Sequence, residues 1–187
     1  MDEPLVIFDL DETLIYASEY PMESFGYWRW EEYWIYPRPY LTEMLHEISQ
    51  YYKIAIWTSS GSDYAKAVVG KYIEPHISLE FVWSQLRCTI RYDRELQEHY
   101  ALKNLKKVFR KGYDKRRVLM VDDTPQKVRL QYGNYIRVSP FMGNSGDLEL
   151  KGLSQYLLDL KDEVDFRILE KRGWISRYSS LVSRDVS

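Results

Sequence analysis

Short apolar runs alternate along this chain with segments whose apolar residues recur at three- and four-residue steps. The runs Pro4–Leu10, Lys53–Ser60, Leu79–Ser84, Arg116–Asp123 and Asn134–Phe141 have no helical spacing and read as buried strands. "PRP" at 37–39 opens a helix carrying Leu41, Met44, Leu45 and Ile48. A second helix is expected over roughly Asp63–Ile73, with Ser62 as its cap. A third is expected near Leu102–Phe109, after a possible hairpin, and an amphipathic one within Gly146–Val164. Residues 19–36 are dense in aromatics that alternate from Tyr27 onward, which predicts an exposed hairpin or insertion. Strands alternating with helices imply right-handed crossovers and a mostly parallel sheet covered on both faces.

Composition narrows the class. The 187 residues suit one domain with a single core. Lys and Arg total 26 and Asp and Glu total 28, so the net charge of -2 gives no whole-chain attraction to nucleic acid or membrane. One cysteine, Cys88, excludes an internal disulfide and fits a reducing compartment. No apolar run is long enough to span a bilayer, and the start "MDEPLV" lacks the basic and apolar regions of a signal peptide. The expected location is cytoplasmic, or nuclear in a eukaryote, and not secreted.

In an open parallel sheet, ligands bind beyond the carboxyl ends of the strands. Three of those ends here read "FDLDET", "WTSS" and "VDDTP", so separate segments converge on one place. Asp9 and Asp11 fall on the same side of an extended chain, and two such close carboxylates repel unless a divalent cation or a proton intervenes. Magnesium prefers a few carboxylates together with water and phosphate oxygens. Asp122 and Asp123 add acids at a neighbouring strand end. A phosphoryl group also needs hydrogen-bond donors and a cation, because charge spreads over its oxygens in the transition state. Thr58, the amides around Ser59, and Lys103 at the start of the third helix can supply them. Read singly, Asp9 and Asp11 also suit a helix cap and turn, and Thr58 suits a cap. Lys106 and Lys107 compete with Lys103 for its part.

Taken in order, "DLDETL", "WTSS", a lysine at a helix start and "VDDTP" resemble the four motifs of haloacid dehalogenase-type phosphotransferases. "DLDETL", "RPYLTEML" and "VLMVDDTP" narrow the resemblance to the FCP/SCP (NLI-interacting-factor-like) phosphatases, over roughly Pro4 to Lys161. It implies an α/β three-layer sandwich around a central parallel sheet, with a small aromatic hairpin insertion and no large cap domain. Residues 1–161 would form that domain and residues 162–187 a helical extension of unassigned role. The implied activity is Mg²⁺-dependent hydrolysis of phosphomonoesters through an aspartyl-phosphate. Asp9 would be the nucleophile and Asp11 the general acid and base. Asp9, the backbone carbonyl of Asp11, and Asp122 would hold Mg²⁺. Thr58, Ser59 and Lys103 would bind the phosphoryl oxygens, Asp123 would act behind the ligands, and Thr13 would steady the loop.

The family's substrates include phosphoserine in the C-terminal tail of RNA polymerase II, and its members include a mitochondrial import-receptor component. A phosphoserine or phosphothreonine protein is therefore the expected substrate. Nucleic-acid ends, small phosphates and a non-catalytic binding role stand as alternatives. The segment after the first motif is shorter than in the family, which implies an altered or missing tail-binding insertion.

Phe25, Tyr27, Trp28, Trp30, Tyr33, Trp34 and Tyr36 read equally as hairpin packing or as a platform for a peptide. Residues 85–117 hold 11 Lys or Arg against 4 Asp or Glu, which suits a solvated surface or a track for an acidic peptide or nucleic acid. His46, His76 and His99 lack ligand spacing, and Cys88 has no base nearby in sequence.

Overall fold

The computed structural model describes residues 3–22, 26–95 and 97–182. Phe25 lies outside them. Numbered along the chain, strands β1 (Leu5–Phe8), β5 (Lys53–Trp57), β6 (Val82–Trp83), β9 (Val118–Asp122) and β10 (Tyr135–Arg137) form one parallel sheet in the order β10-β9-β1-β5-β6. Alternation divides its side chains between two cores. Val6, Phe8, Ile54, Ile56, Leu119 and Val121 face one side, and Leu5, Ile7, Ala55, Trp57, Val118 and Met120 face the other. The three central strands are buried on both faces, so they read in sequence as continuous apolar runs.

The two faces are covered unequally. Helices α1 (Leu41–Ile48), α2 (Ser62–Tyr72), α5 (Glu149–Leu160) and α6 (Trp174–Val182) contribute to the first core. The second is closed by the single-turn helices α3 (Lys106–Phe109) and α4 (Pro125–Val128) and by aromatic side chains. The chain after Lys161 feeds Phe166, Trp174 and Tyr178 into the first core, with Trp174 stacked on Tyr156 at 5.5 Å. Among the described residues no helix is long and apolar enough to cross a membrane.

Two antiparallel pieces interrupt the alternation. The aromatic insertion is a three-stranded sheet of β2 (Ile15–Ser18), β3 (Trp28–Trp30) and β4 (Tyr33–Pro37), in the order β2-β4-β3. Strands β7 (Thr89–Asp93) and β8 (Glu98–Leu102) form a hairpin. Among the described residues no larger cap stands over the strand ends.

The expected helix near Leu102–Phe109 is corrected here. Leu102 pairs with Thr89 as the last residue of β8, and Lys103 follows a strand rather than opening a helix. The backbone amide of Lys103 goes instead to the carbonyl of Lys127 at 2.7 Å. Ser62 likewise is the first helical residue of α2; Gly61 precedes it, and no side chain caps that end.

Arg38 closes the frame behind the first motif. Its side chain is fully buried and bonds both carboxylate oxygens of Asp147, at 3.0 and 2.9 Å. Its remaining nitrogen donates to the carbonyls of Thr13 and Ser139, each at 3.1 Å. The ring of Phe141 lies 5.3 Å from the guanidinium carbon. One planar cation thus ties the loop after β1 to the loop before α5. Arg38→Met removes the cation from Asp147 and from Glu149, 3.3 Å away, and the donor from two carbonyls, and should cost about 3–5 kcal/mol in urea unfolding. Arg38→Lys should recover part of that loss. A change below about 1 kcal/mol for Arg38→Met would show that the clamp carries no weight.

Candidate active site

The sheet register aligns the acids. Phe8 pairs with Val121, so Asp9 and Asp122 are the next residues on adjacent strands. Phe8 also pairs with Ile56 on the other side, which brings Thr58 to the same edge. Beyond β1 the chain turns at once. The Leu10 carbonyl accepts the amides of Thr13, Leu14 and Ile15, at 3.2, 2.8 and 3.1 Å. Leu10 itself is buried in the core, while Asp9 and Asp11 stay on the open side of the turn.

Asp9 is 1% exposed. Its Oδ1 accepts the amide of Leu10 at 2.8 Å. Its Oδ2 meets two ammonium groups, Lys103 at 2.8 Å and Lys127 at 2.9 Å. Burial pushes the Asp9 carboxyl up, but Lys103 and Lys127 outweigh it and hold it below the ordinary carboxylate range. Lys103 is fully buried and also bonds Asp122 Oδ2 at 2.6 Å. Lys127 is 20% exposed, so it stands at the mouth of the site. Burial pushes the Lys127 ammonium down, and Asp9 and Asp122 more than reverse that shift.

Asp122 and Asp123 differ in what remains free. Asp122 uses both oxygens, Oδ2 for Lys103 and Oδ1 for the amide of Thr124 at 2.9 Å. Burial raises its carboxyl to about 7, with Lys103 pulling it down and Asp9 pushing it further up. Asp123 accepts the Thr124 hydroxyl on Oδ2 at 2.8 Å, while its buried Oδ1 has no hydrogen-bond partner. One oxygen each from Asp9, Asp122 and Asp123 lie within 4.8 Å of one another. Acids crowd this end of the sheet: Glu12 lies close enough that burial and then Asp123 push its carboxyl up, while Lys103 and Lys127 are the cations that face Asp9. Asp123 Oδ1, with no hydrogen bond and only the Lys127 ammonium at 4.0 Å, fits a divalent cation beside this cluster.

Asp11 has a different neighbourhood. The hydroxyls of Ser60 and Tyr64 donate to its two oxygens, each at 2.6 Å, and Thr58 approaches at 3.4 Å. Burial and Asp11 together hold the Tyr64 phenol protonated. Thr58 Oγ1 also accepts the amide of Ser60 at 3.0 Å. The Ser59 amide donates to no acceptor among the described residues, and so is available to a ligand. Thr13 is buried away from solvent, and its carbonyl is held by Arg38.

Sequence reasoning did not find Lys127, Ser60, Tyr64 or Arg38. Ser60 had a signal as a second hydroxyl in "WTSS", and Lys127 stands four residues after Asp123, in the short helix that follows it. Tyr64 had none, because nothing in sequence shows that α2 passes beside Asp11.

The aromatic insertion uses both its faces. Trp28, Trp30 and Tyr33 pack on the core, and Trp30 meets Tyr64 edge-on at 5.3 Å. On the opposite face Tyr27 meets Trp34 at 4.5 Å, and Arg29 lies over Trp34 at 5.5 Å. The basic stretch is divided among separate tasks. Lys103 is in the site, Lys107 donates to the Arg87 carbonyl, and Lys111 and Arg87 lie over the Trp83 ring. Among the described residues no histidine joins the acidic cluster. Cys88 is half-buried, with its thiol pushed up by burial.

A family model for NLI interacting factor-like phosphatases matches residues 4–167. CTD small phosphatase-like protein 2 of Dictyostelium discoideum is 27% identical over 87% of this chain and 28% of its own length. The human carboxy-terminal domain RNA polymerase II polypeptide A small phosphatase 1 is 26% identical over 85% of this chain and 60% of its own. The mitochondrial import inner membrane translocase subunit TIM50 of Phytophthora infestans is 27% identical over 88% and 36%. The chain therefore spans from about a quarter to three fifths of these relatives. Among solved structures, fission yeast RNA polymerase II CTD phosphatase Fcp1 shares the fold, with a TM-score of 0.57 at 19% identity. That likeness covers 98% of this chain and 56% of Fcp1. With the family model covering most of its length, the chain belongs to the NLI interacting factor-like phosphatases.

Proposed function

We propose that this protein hydrolyses phosphomonoesters through an aspartyl-phosphate on Asp9, with a phosphoserine or phosphothreonine protein as substrate. The observation that carries the reading is the buried Asp9 carboxylate, held ionised between Lys103 and Lys127. A nucleophilic carboxylate must keep its charge without being soaked in water, and two lysines beside it achieve that. The same ammonium groups, with Thr58 and the free Ser59 amide, can meet the charge that develops on the phosphoryl oxygens. Lys127, being partly exposed, is the cation an incoming phosphate reaches first.

Asp9 Oδ attacks phosphorus as the P–O bond to the substrate breaks, and the leaving oxygen takes the proton of Asp11, which enters this step as the carboxylic acid. Water, deprotonated by Asp11, then attacks the phosphorus of the aspartyl-phosphate and frees Asp9 and inorganic phosphate. Ser60 and Tyr64 fix the Asp11 carboxylate for both transfers. Magnesium, when bound, would add Lewis-acid stabilisation of the phosphoryl oxygens. Asp9 and the orphaned Oδ1 of Asp123 suit its coordination best, with the backbone carbonyl of Asp11 as the family resemblance implies. Asp122, whose oxygens meet the Lys103 ammonium and the Thr124 amide, would instead anchor Lys103. The oxygens of Asp9 are engaged too, so the preference for Asp123 rests on its Oδ1, which has no hydrogen bond. This exchanges the parts that the sequence suggested for Asp122 and Asp123.

An open site favours a macromolecule, which can itself cover the strand ends and exclude water. The names of the Dictyostelium and human relatives point the same way. On the insertion, Tyr27 is 51% exposed beside Trp34 and Arg29, which suits contact with an extended peptide.

Activity measured against magnesium concentration tests the metal assignment. Asp123→Ala should raise the magnesium needed for half-maximal rate by about tenfold or more. Asp122→Ala should lower the rate at every magnesium concentration, because Lys103 loses an anchor. The reverse pattern would return Asp122 to the metal.

Kinetics on a phosphoserine peptide and on a small chromogenic phosphate test the substrate class. Trp34→Ala should raise KM for the peptide about tenfold and leave the small substrate unchanged, the signature of lost uniform binding. Equal effects on both substrates would make the insertion purely structural. Faster turnover of sugar phosphates than of the peptide would reject the protein-phosphatase reading.

A further inference from the structure

The C-terminal segment and the edge strand β10 enclose a cavity of about 780 Å³. Its mouth is made by docking the chain after Lys161 against the edge strand. Trp174 Nε1 donates to the Arg137 carbonyl at 2.7 Å, which covers the edge of β10. Gly133 permits the approach from the other side, since a Cβ there would come within 3.1 Å of the Arg167 carbonyl.

The lining is strongly cationic. Arg137, Arg167, Lys171 and Arg172 face a single acid, Glu170. Among the described residues the only ion pair in this wall joins Arg172 to Glu170, at 2.6 Å. Lys171 is 8% exposed, and its ammonium rests on two backbone carbonyls, Phe166 at 2.6 Å and Leu169 at 3.0 Å. Burial pushes that ammonium down, with Glu170 and Asp165 opposing from a distance. Its hydrogen bonds go only to carbonyls and its nearby acids act through space, so an added anion would further offset the cost of its burial. Tyr132, 59% exposed, supplies flat apolar surface in the same wall, with only the edges of the nearly buried Tyr135 and Trp174 rings beside it. A concave space of this size, with an aromatic side chain and several cationic residues in its lining, has the make-up of a ligand site.

We propose that this cavity binds an anionic group, phosphate or carboxylate, carried on an aromatic or apolar body, at a site separate from Asp9. Arg137 and Arg167 pair with the anion, Lys171 completes its charge neutralisation, and the rings hold the body. The site backs onto the catalytic turn. Pro125 lines it, and the Tyr135 hydroxyl donates to the Asp122 carbonyl at 2.9 Å. The group can arrive free in solution or as a second phosphate on the substrate chain.

Phenylphosphonate is a suitable probe, because its carbon–phosphorus bond resists hydrolysis. In a residue-resolved amide NMR titration of the full chain it should give saturable shifts at Gly133, Arg137 and Gly173. The Arg137→Glu/Arg167→Glu double variant should weaken that binding by at least about tenfold while keeping the shifts near Thr58. Both arginines are exposed, so the fold should survive, and an unchanged spectrum elsewhere checks it. The milder Arg137→Gln/Arg167→Gln variant should fall between the two. Shifts confined to the Asp9 site, or equal affinity in all three proteins, would overturn the proposal. Comparing KM for singly and doubly phosphorylated peptides separates the sources. An advantage for the doubly phosphorylated peptide that the charge-reversed variant loses means the anion comes on the substrate. No change in the KM ratio, with phosphonate binding still weakened, means a free ligand. The peptide comparison depends on phosphatase activity; the phosphonate titration does not.

Discussion

Two carboxylates on adjacent strands, Asp9 and Asp122, share one fully buried ammonium, that of Lys103. Removing three charges from water is expensive, and mutual attraction offsets the cost only if the geometry is held. The parallel register of β1 with β9 brings the two acids side by side. Lys103 reaches them because its backbone is hydrogen-bonded to Lys127, so the two lysine-bearing segments are tied before their side chains meet Asp9. The rest of the site is arranged about this cluster. Lys127 adds a second cation at the mouth, and 4.0 Å from it Asp123 presents an oxygen without a hydrogen bond.

The two acids of the first motif are kept distinct by their surroundings. Asp9 sits among ammonium groups, which favour its charged form. Asp11 sits among hydroxyls from the turn after β5 and from α2, which hold its position. In the proposed reaction that contrast would let one acid attack and the other move protons, the division that two-step hydrolysis requires. Arg38 supports this from beneath. Its bond to the Thr13 carbonyl stiffens the turn on which both acids stand, and its bidentate pair with Asp147 fixes the loop leading to α5.

Much of the fold was legible because its strands are short and buried on both faces. "LVIF", "KIAIW" and "VLMVD" have no other sensible reading, and their polar endings mark the site. The helix expected near Leu102 failed for a tertiary reason: pairing with β7 extends the chain through Leu102 before any helix begins. The aromatic insertion was legible as a hairpin, but its third strand, β2, follows the first motif too closely to stand out. Within the site, Asp9, Asp11, Thr58 and Lys103 came from motif order. Lys127 and Tyr64 did not, because a cation or phenol on a neighbouring element carries no local pattern. The contrast between Asp122 and Asp123 is likewise invisible in "VDDTP", since it depends on which oxygen Lys103 and Thr124 occupy.

The central claim is that Asp9 takes the phosphoryl group. Asp11→Asn should slow breakdown of the intermediate, so rapid quenching of that variant after mixing with a phosphopeptide should trap phosphoenzyme. Mass spectrometry of the proteolysed protein should then locate the phosphoryl group on the peptide containing Asp9, and Asp9→Asn in the same background should abolish it. Phosphate release without any phosphorylated Asp9 peptide, or hydrolysis by a folded Asp9→Asn protein at the wild-type rate, would contradict the account.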